Sequence, residues 1–252
     1  MKPRLGQHFL IDRNIAEYEI EQATISSSDV VLEIGPGKGV LTELLAKHAK
    51  QVLAIEIDSG LIDELKKWVP SNVTLIHADA AKIDLNTIPS FTKVVANLPY
   101  QISSPFTFHL LKSTFHKAVL IYQLEFAERM IAQPNTSMYS RLSVGVQYHM
   151  HCRILKKLSP NCFHPPPLVE SAIVELIPRF SPICEVIDEA FFYDVVRVLF
   201  SYRRKKIGTI ARMHWNICSE VPFAKNRVES LSIKQIASIS DYIFSFIEEN
   251  KT

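Results

Sequence analysis

Short apolar runs alternate with amphipathic stretches along the first half of the chain. The runs are rich in valine, isoleucine and leucine and end at polar turns, a pattern typical of buried strands. They predict strands at 30–34, 51–57, 72–77, 92–96 and 117–122. Apolar positions at helical spacing predict helices between them, at 13–24, 40–50, 59–69 and 102–112. The first strand, a glycine-rich turn and the helix after it have the order of a nucleotide-binding α/β sheet.

The pattern changes further along the chain. Helices are predicted at 125–132 and 140–148, and an antiparallel pair of strands at 149–158 and 170–177. Three consecutive prolines stiffen the loop between these two strands. After Pro178 the chain becomes amphipathic, and helices are predicted at 188–200, 206–216, 224–230 and 233–248. We therefore predict two domains, a sheet-containing domain at 1–178 and a small all-helical domain at 179–252.

Composition fits a folded protein with this organisation. The 252 residues are 47% hydrophobic and 21% charged, enough to bury one large core and a smaller one. No apolar run approaches the length that spans a membrane, and the N-terminus lacks an apolar leader. None of the four cysteines lies in a C-x-x-C pair, so no metal site or redox motif is predicted. Free thiols are typical of a reducing compartment, and we expect a cytoplasmic protein without a membrane partner.

Charge becomes informative only through its distribution. The net charge of +2 does not by itself indicate a nucleic-acid partner. Acidic residues are absent from 129–168 and 201–216, and the second stretch contains the run Arg203-Arg204-Lys205-Lys206. Such stretches fit a surface that faces phosphates. They also fit ordinary solvated faces that happen to lack acids, so both interpretations stay open.

The candidate site for chemistry is Asn97-Leu98-Pro99-Tyr100. It follows a predicted strand, which Pro99 ends because proline has no N–H to donate to a sheet. The Asn97 side chain and the Leu98 carbonyl supply two acceptors beside the flat ring of Tyr100. Together they suit a planar base, whose exocyclic amino group would bond both acceptors while the ring stacks on its face. A purely structural turn is the alternative.

Glycines and carboxylates follow the neighbouring strands. The turn Gly35-Pro36-Gly37-Lys38-Gly39 lets the backbone approach a ligand, although its spacing is neither a P-loop nor a complete G-x-G-x-x-G. Glu56 ends the second strand, where an acid reaches the ribose hydroxyls of a bound nucleoside. It would otherwise cap the next helix, a role that Asp58 suits better. Asp79, after the third strand, would accept a hydrogen bond from an adenine amino group.

In combination these segments resemble the rRNA adenine N6-dimethyltransferases, which have the S-adenosylmethionine-dependent methyltransferase fold. The similarity follows the family's order over nearly the whole chain and is greatest to the small-subunit, or KsgA, branch. It is carried by Leu5-Gly6-Gln7-His8-Phe9-Leu10, Leu32-Glu33-Ile34-Gly35-Pro36-Gly37, Glu56-Ile57-Asp58, Asp79-Ala80, Asn97-Leu98-Pro99-Tyr100, Tyr139-Ser140-Arg141-Leu142-Ser143-Val144, the loop Phe163 to Val169 with Ser171, and Tyr202-Arg203-Arg204-Lys205-Lys206.

The resemblance implies a fold, a cofactor and a reaction. The fold is an α/β, Rossmann-like methyltransferase sheet with a small C-terminal helical domain, and the cofactor is S-adenosylmethionine. Family members dimethylate N6 of two adjacent adenosines near the 3′ end of small-subunit rRNA during ribosome biogenesis. The partner is therefore small-subunit rRNA or a precursor of the small ribosomal subunit. The implied cofactor-binding residues are His8, Leu10, Gly35, Gly37, Glu56, Asp79, Ala80 and Asn97.

The resemblance also implies catalytic and RNA-binding residues. The target adenine is expected against Asn97, Leu98, Pro99 and Tyr100, with Phe163 completing a sandwich with the Tyr100 ring. RNA contacts are expected from Arg141, Arg203, Arg204, Lys205 and Lys206. Two positions depart from the family pattern: His8 stands where many relatives have Asn, and Leu168 where a Lys after the prolines is common. We expect the protein to be a monomer.

Three alternative functions remain open. The first is a large-subunit rRNA methyltransferase of the macrolide-resistance type, against which the segment 141–144 and the helical tail argue. The second is a non-catalytic RNA-binding assembly factor, against which the intact Asn97 and Asp79 argue. The third is an NAD-dependent oxidoreductase, in which the segment 97–100 would have no role.

Overall fold

The chain folds into two compact units. The computed structural model describes residues 8–218 and 220–250, so residues 5–7 of the N-terminal motif lie outside it. One unit comprises the described residues up to Ala127 together with His151–Pro178, and the other comprises Glu128–Met150 and the described residues from Arg179 onwards. The division after Pro178 coincides with the predicted domain boundary. Residues 128–150 instead group with the helical unit, because Tyr139 and Val144 are buried in its hydrophobic core.

The first unit is built on a mixed sheet. Seven strands lie in the order β4-β3-β2-β5-β6-β9-β7, and β1 and β8 form a separate antiparallel pair. The strands are β1 Phe9–Leu10, β2 Val30–Ile34, β3 Gln51–Glu56, β4 Val73–His77, β5 Lys93–Asn97, β6 Lys117–Gln123, β7 Met150–Leu158, β8 Phe163–His164 and β9 Ser171–Pro178. Strands β2 to β6 pair in parallel, whereas β9 runs antiparallel to β6. The predicted α/β fold is thus confirmed.

The order of the strands fixes where a ligand can bind. The chain moves outward from β2 through β3 to β4, and then returns to place β5 on the other side of β2. At such a reversal the two connections leave in opposite directions and open a crevice at the carboxyl ends of the strands. The glycine turn follows β2 and Asn97 ends β5, so both border this crevice.

The helices mostly follow the predicted pattern. They are α1 Arg13–Ala23, α2 Val40–His48, α3 Ser59–Leu65, α4 Ser103–Leu110, α5 Leu124–Ile131, α6 Arg141–His149, α7 Glu189–Ser201, α8 Ile207–Trp215 and α9 Ile233–Glu249. The prediction of a helix at 224–230 is wrong, since only a single 3₁₀ turn, Val228–Ser230, forms there. Its carbonyls are used elsewhere: Ile207 N–H donates to Asn226 O and Gly208 N–H donates to Ala224 O, both at 3.0 Å.

Each unit has its own hydrophobic core. In the first unit, α1 and α2 bury apolar side chains such as Ile15 and Leu45 against sheet residues such as Val95. In the second, α6, α7, α8 and α9 surround a cluster that includes Phe192 and Ile236. No helix within the described residues is both long enough and apolar enough to cross a membrane.

Candidate active site

The turn after β2 brings the backbone against two other segments. Gly35 and Gly37 have φ values of 66° and 56°, in the left-handed region that favours glycine. A Cβ at Gly37 would lie 2.8 Å from the Phe9 ring, and one at Gly35 would lie 3.4 Å from Pro99. No side chain fits at Gly37 without displacing Phe9. The glycines therefore allow Phe9 and Pro99 to pack closely on the turn at this end of the crevice.

Glu56 is held at the end of β3 by three backbone donors. Its Oε1 accepts from Ile57 N at 2.8 Å and Asp58 N at 3.0 Å, and its Oε2 accepts from Gly37 N at 3.2 Å. The residue is buried. Since each carboxylate oxygen accepts about two hydrogen bonds, Oε2 retains capacity for one more donor. Asp58, rather than Glu56, caps α3 by accepting from Gly60 N at 2.8 Å.

Asp79 occupies the corresponding place after β4. Its Oδ1 accepts from Ala81 N at 2.9 Å, and its Oδ2 lies 3.4 Å from Lys82 Nζ. The carboxylate is partly exposed, while its neighbour Ala80 is buried. The turn that follows β4 thus presents an oriented acidic group to the crevice.

A long-range hydrogen bond fixes the carboxamide of Asn97. Its Nδ2 donates to the backbone carbonyl of His8 at 2.9 Å, across 89 residues of sequence. The donor end of the side chain is therefore occupied, and Oδ1 is the acceptor that remains. The His8 ring is held in turn, with Nδ1 2.7 Å from Pro165 O.

Tyr100 is anchored through its hydroxyl. The hydroxyl oxygen lies 2.6 Å from Ser171 Oγ at the start of β9. Burial of the ring raises the pKa of Tyr100, so the phenol stays protonated. The His8 ring lies nearby, with the two ring centroids 5.5 Å apart and the planes at 33°. A half-buried, fixed aromatic face results.

These groups line one cavity of about 470 Å³ in the first unit. That volume is within the usual range for small-molecule and cofactor sites. Ten residues singled out from the sequence belong to its lining: His8, Gly35, Gly37, Glu56, Asp79, Ala80, Asn97, Leu98, Pro99 and Tyr100.

Two predicted site residues lie elsewhere. Leu10 and Phe163 are 5% and 2% exposed, belong to the core of the first unit and face each other as partners in the β1–β8 pair. Leu10 borders only a small void of about 30 Å³ beside Gly35 and Asn97. The expected sandwich of Tyr100 and Phe163 is not formed, because Phe163 is used for core packing.

The basic run in the second unit divides into two parts. Arg203 donates from its guanidinium to the carbonyls of Thr136 and Ser137, both at 2.7 Å, so the fold itself uses this side chain. Arg204, Lys205 and Lys206 are exposed, as is Arg141 at the start of α6. For the exposed residues, RNA binding stays a prediction. The Arg203 guanidinium instead bonds to carbonyls of the protein itself.

Sequence reasoning missed a pair of buried carboxyl groups behind the crevice. Glu19 on α1 and Glu33 on β2 are both fully buried. The backbone of Ala96 approaches the carboxyl of Glu19, and Thr42 approaches that of Glu33. Burial raises the pKa of Glu33 to about 8, and the charge of Glu56 adds to the effect. Burial and the neighbouring Glu33 also hold the pKa of Glu19 well above its usual value. The only sequence signal is an acid within the apolar run of β2.

The sheet order and the crevice beside a glycine turn define this protein as a Rossmann-like α/β protein with a cavity of cofactor size at the carboxyl ends of its strands. Residues 1–244 match the family described as ribosomal RNA adenine dimethylase, and the chain belongs to that family. The family resemblance of the sequence motifs is thereby confirmed.

Individual relatives agree over nearly their full lengths. A probable ribosomal RNA small subunit methyltransferase A from Thermococcus onnurineus (strain NA1) is 43% identical over 256 residues, which cover 95% of this chain and 91% of the relative. The crystal structure of a dimethyladenosine transferase from Plasmodium falciparum has a TM-score of 0.80 and 32% identity, covering 97% of this chain and 98% of that one. The 23S rRNA methyltransferase ErmE has a TM-score of 0.67 and 26% identity, covering 94% and 99%.

Proposed function

We propose that this protein uses S-adenosylmethionine to dimethylate N6 of two adjacent adenosines near the 3′ end of small-subunit rRNA, during assembly of the small ribosomal subunit. The observation that carries the proposal is the fixed carboxamide of Asn97 in the wall of the cavity. Identity of 43% to a relative named for the small subunit, against 26% to a 23S rRNA methyltransferase, favours the small-subunit substrate.

The cavity fits S-adenosylmethionine by its shape and its donor set. The glycine turn lets Phe9 and Pro99 pack directly against the backbone of Gly37 and Gly35, which both line the cavity. Glu56 is placed to accept a ribose hydroxyl through Oε2, and Asp79 to accept from the adenine amino group of the cofactor. Ala80 and His8 would border the same ligand. Leu10 would act only indirectly, by packing behind the wall.

The chain's own residues then position the target amine. The lone pair of an adenine N6 is delocalised into the ring, so the free base is a poor nucleophile. Acceptors at Asn97 Oδ1 and the Leu98 carbonyl would bind the two N–H groups and favour a pyramidal nitrogen with its lone pair directed at the methyl donor. Such positioning and electrostatic complementarity supply most of the rate enhancement when no covalent chemistry is needed.

S-adenosylmethionine supplies a methyl group on a positively charged sulfur, which is a good leaving group. The protein therefore needs to align two reactants rather than activate either one. Tyr100 would stack on the extruded adenine, since its ring is held by Ser171 beside Asn97. Pro99 fixes the backbone between these two residues, so acceptor and ring keep one geometry.

Recognition of the rRNA would come from exposed basic side chains. Arg141, Arg204, Lys205 and Lys206 are exposed and would contact phosphates, which dominate affinity for nucleic acid. We also propose that the residues from 179 onwards serve mainly to dock RNA. The cytoplasmic location and the monomeric state stay predictions.

The proposed reaction is tested by nucleoside analysis. Unmethylated rRNA would be incubated with the protein and S-adenosylmethionine, digested to nucleosides and analysed by mass spectrometry. We expect N6,N6-dimethyladenosine to appear. RNA binding without any methylated adenosine would favour a non-catalytic assembly factor. Calorimetric binding of NAD in place of S-adenosylmethionine would favour an oxidoreductase.

A further inference from the structure

The loop between β8 and β9 carries an unusually exposed apolar tip. Leu168 is 103% exposed and Val169 is 46% exposed, so neither contributes its full side chain to the core of the unit. Single exposed apolar residues are common. Here two such residues, Leu168 and Val169, are adjacent and follow three prolines, which stiffen the backbone that carries them. The preceding Pro167 is buried and fixes the base of the tip.

Both ends of this loop are tied to residues that line the cavity. Pro165 O is bonded to the His8 ring at 2.7 Å, and Ser171 Oγ lies 2.6 Å from the Tyr100 hydroxyl. Glu170 O also accepts from Leu124 N at 2.9 Å. The apolar tip therefore stands in a fixed relation to the aromatic ring and to the carboxamide of Asn97.

The chemistry of the loop selects what it can contact. Residues 165–169 carry no charge, and the next residue is the exposed acid Glu170, which would repel a phosphate. The loop is better suited to contact a base than a phosphate. The flat face of a base is apolar, and it becomes exposed when the neighbouring base leaves the stack. Apolar side chains such as leucine are known to enter such gaps in nucleic acids.

We propose that Leu168, supported by Val169, is a wedge that contacts the bases flanking the target adenosine and stabilises its extruded state. The inference rests on the proposed function and deepens it. A base inside a helix or stack cannot reach a buried pocket, and extrusion costs the stacking on both sides. The side chain of Leu168 would replace part of that stacking. It is thus a positioning residue that sets the specificity for stacked adenosines.

The test compares Leu168→Ser with Leu168→Met and with Phe180→Ser. Phe180 is 109% exposed and belongs to the other unit, so its substitution removes an equally exposed apolar side chain outside the β8–β9 loop. With small-subunit rRNA as substrate, Leu168→Ser should lower kcat/KM by about 10- to 150-fold, the effect of losing the burial of one leucine side chain. Leu168→Met and Phe180→Ser should stay close to the wild type. Affinity for S-adenosylmethionine should be unchanged in all three variants.

A second measurement follows the extrusion itself. Small-subunit rRNA with 2-aminopurine at the target position gives more fluorescence when that base leaves its stack. The wild-type protein and Phe180→Ser should raise this fluorescence, and Leu168→Ser should raise it less at saturating protein. Equal fluorescence and equal kcat/KM for Leu168→Ser and the wild type would overturn the wedge.

Charge is separated from stacking by Leu168→Lys. If the position contacts a phosphate, this variant should surpass Leu168→Met, and the wedge is overturned. If the position contacts bases, Leu168→Lys should fall below Leu168→Met. The failure of the proposed function looks different, since the wild-type protein would then transfer no methyl group to the rRNA at all.

Discussion

At the scale of single residues, one hydrogen bond decides which end of Asn97 is free. The His8 carbonyl accepts from Nδ2, so the acceptor oxygen is left for a ligand in the cavity. Because His8 contributes this bond through its backbone, the family position that often holds Asn can hold His here without losing the contact. The ring of His8 is instead bonded to Pro165 O.

Replacing Asn97 with alanine should therefore remove most methyl transfer. Loss of one such oriented group commonly costs ~2.7–4 kcal/mol of transition-state stabilisation, or about 10²–10³ in kcat. Asn72→Ala is the matched control, since Asn72 also donates from Nδ2 to backbone carbonyls, those of Ala46 and Ala49. Single-turnover kinetics of both variants would check this. Wild-type turnover by Asn97→Ala would refute the role of Asn97.

Glu56 is expected to control affinity for the cofactor. Glu56→Gln places an amide against three backbone donors and removes a charged acceptor, so binding of S-adenosylmethionine should weaken by roughly 1.5–3 kcal/mol per hydrogen bond lost. Asp58→Ala is its control, because it removes the cap of α3 and should cost about 0.5–2 kcal/mol of stability without weakening binding. Calorimetry on both variants decides the matter, and unchanged affinity in Glu56→Gln would limit Glu56 to a structural role.

Residue types at strand ends could be predicted from the sequence, but their partners could not. Asn97, Glu56 and Asp79 each follow an apolar run, and that is visible in the pattern alone. The bond from Asn97 to His8 joins positions 89 residues apart, and no local pattern specifies it. For Phe163 the sequence left both core packing and a stacking role open for the same reason, since its pairing with Leu10 depends on two strands of two residues each.

At the scale of elements, the contact between α1 and the sheet buries two acidic residues, Glu19 on α1 and Glu33 on β2. In the folded state Glu33 has a pKa of about 8, against 4.5 in an unfolded chain. Between these values the folded chain keeps a proton that the unfolded chain releases. The free energy of unfolding should therefore fall as pH rises through this window. For Glu33 alone the loss at pH 7 is about 3 kcal/mol, and Glu19 adds to it in the same direction.

Urea unfolding at several pH values between 5 and 8 would measure this dependence. Glu33→Gln should flatten the decline, because the amide does not ionise. Glu175→Gln is the contrasting control: burial opposes ionisation of Glu175, but bonds from Arg153 and Lys117 outweigh it and lower its pKa. Its contribution is lost only as pH falls below about 4.5, so the slope from pH 5 to 8 should not change. Wild-type stability that rises with pH over this range would contradict the account.

The apolar pattern predicted helix or strand correctly wherever the backbone of a segment bonds within its own helix or to an adjacent strand. The strands β2 to β6 are continuous apolar runs, and their limits match the prediction closely. The segment 224–230 has helical spacing, yet its backbone carbonyls bond to the start of α8. Competition from a distant segment of the backbone is not encoded in local periodicity.

At the scale of the whole molecule, the basic side chains predicted to contact RNA all lie in the second unit, and the fold itself already uses one of them. Arg203 is bonded to the carbonyls of Thr136 and Ser137, and its Nε lies 3.5 Å from Glu229. Charge counting alone would treat it like Arg204. Within the basic run, the fold therefore leaves Arg204, Lys205 and Lys206 as the exposed residues.

Neutralising Arg204, Lys205 and Lys206 to glutamine should weaken RNA binding and leave binding of S-adenosylmethionine unchanged. Each lost phosphate contact should flatten the slope of log K against log salt by about 0.7–0.9. Arg203→Gln should instead lower the free energy of unfolding, because it leaves two backbone carbonyls without a donor. A salt series of RNA-binding measurements tests this, and an unchanged slope in the triple variant would show that these side chains touch no phosphate.

The division into units could be predicted only in part. The change to an amphipathic pattern after Pro178 marks one boundary in the sequence, and the structure also divides there. Residues 128–150 have no such marker, and they join the helical unit because Tyr139, Val144 and Tyr148 are buried in its core. These residues pack against side chains from Phe192 onwards, far along the sequence, and composition does not reveal such contacts.

The most direct test of the account is methyl transfer to the two ribosomal RNAs in competition. Unmethylated small-subunit and large-subunit rRNA would be offered together with labelled S-adenosylmethionine, separated and digested to nucleosides. We predict N6,N6-dimethyladenosine in the small-subunit rRNA, at two adjacent positions near its 3′ end, and none in the large-subunit rRNA. Label in the large-subunit rRNA, or no transfer to either, would contradict the proposed function.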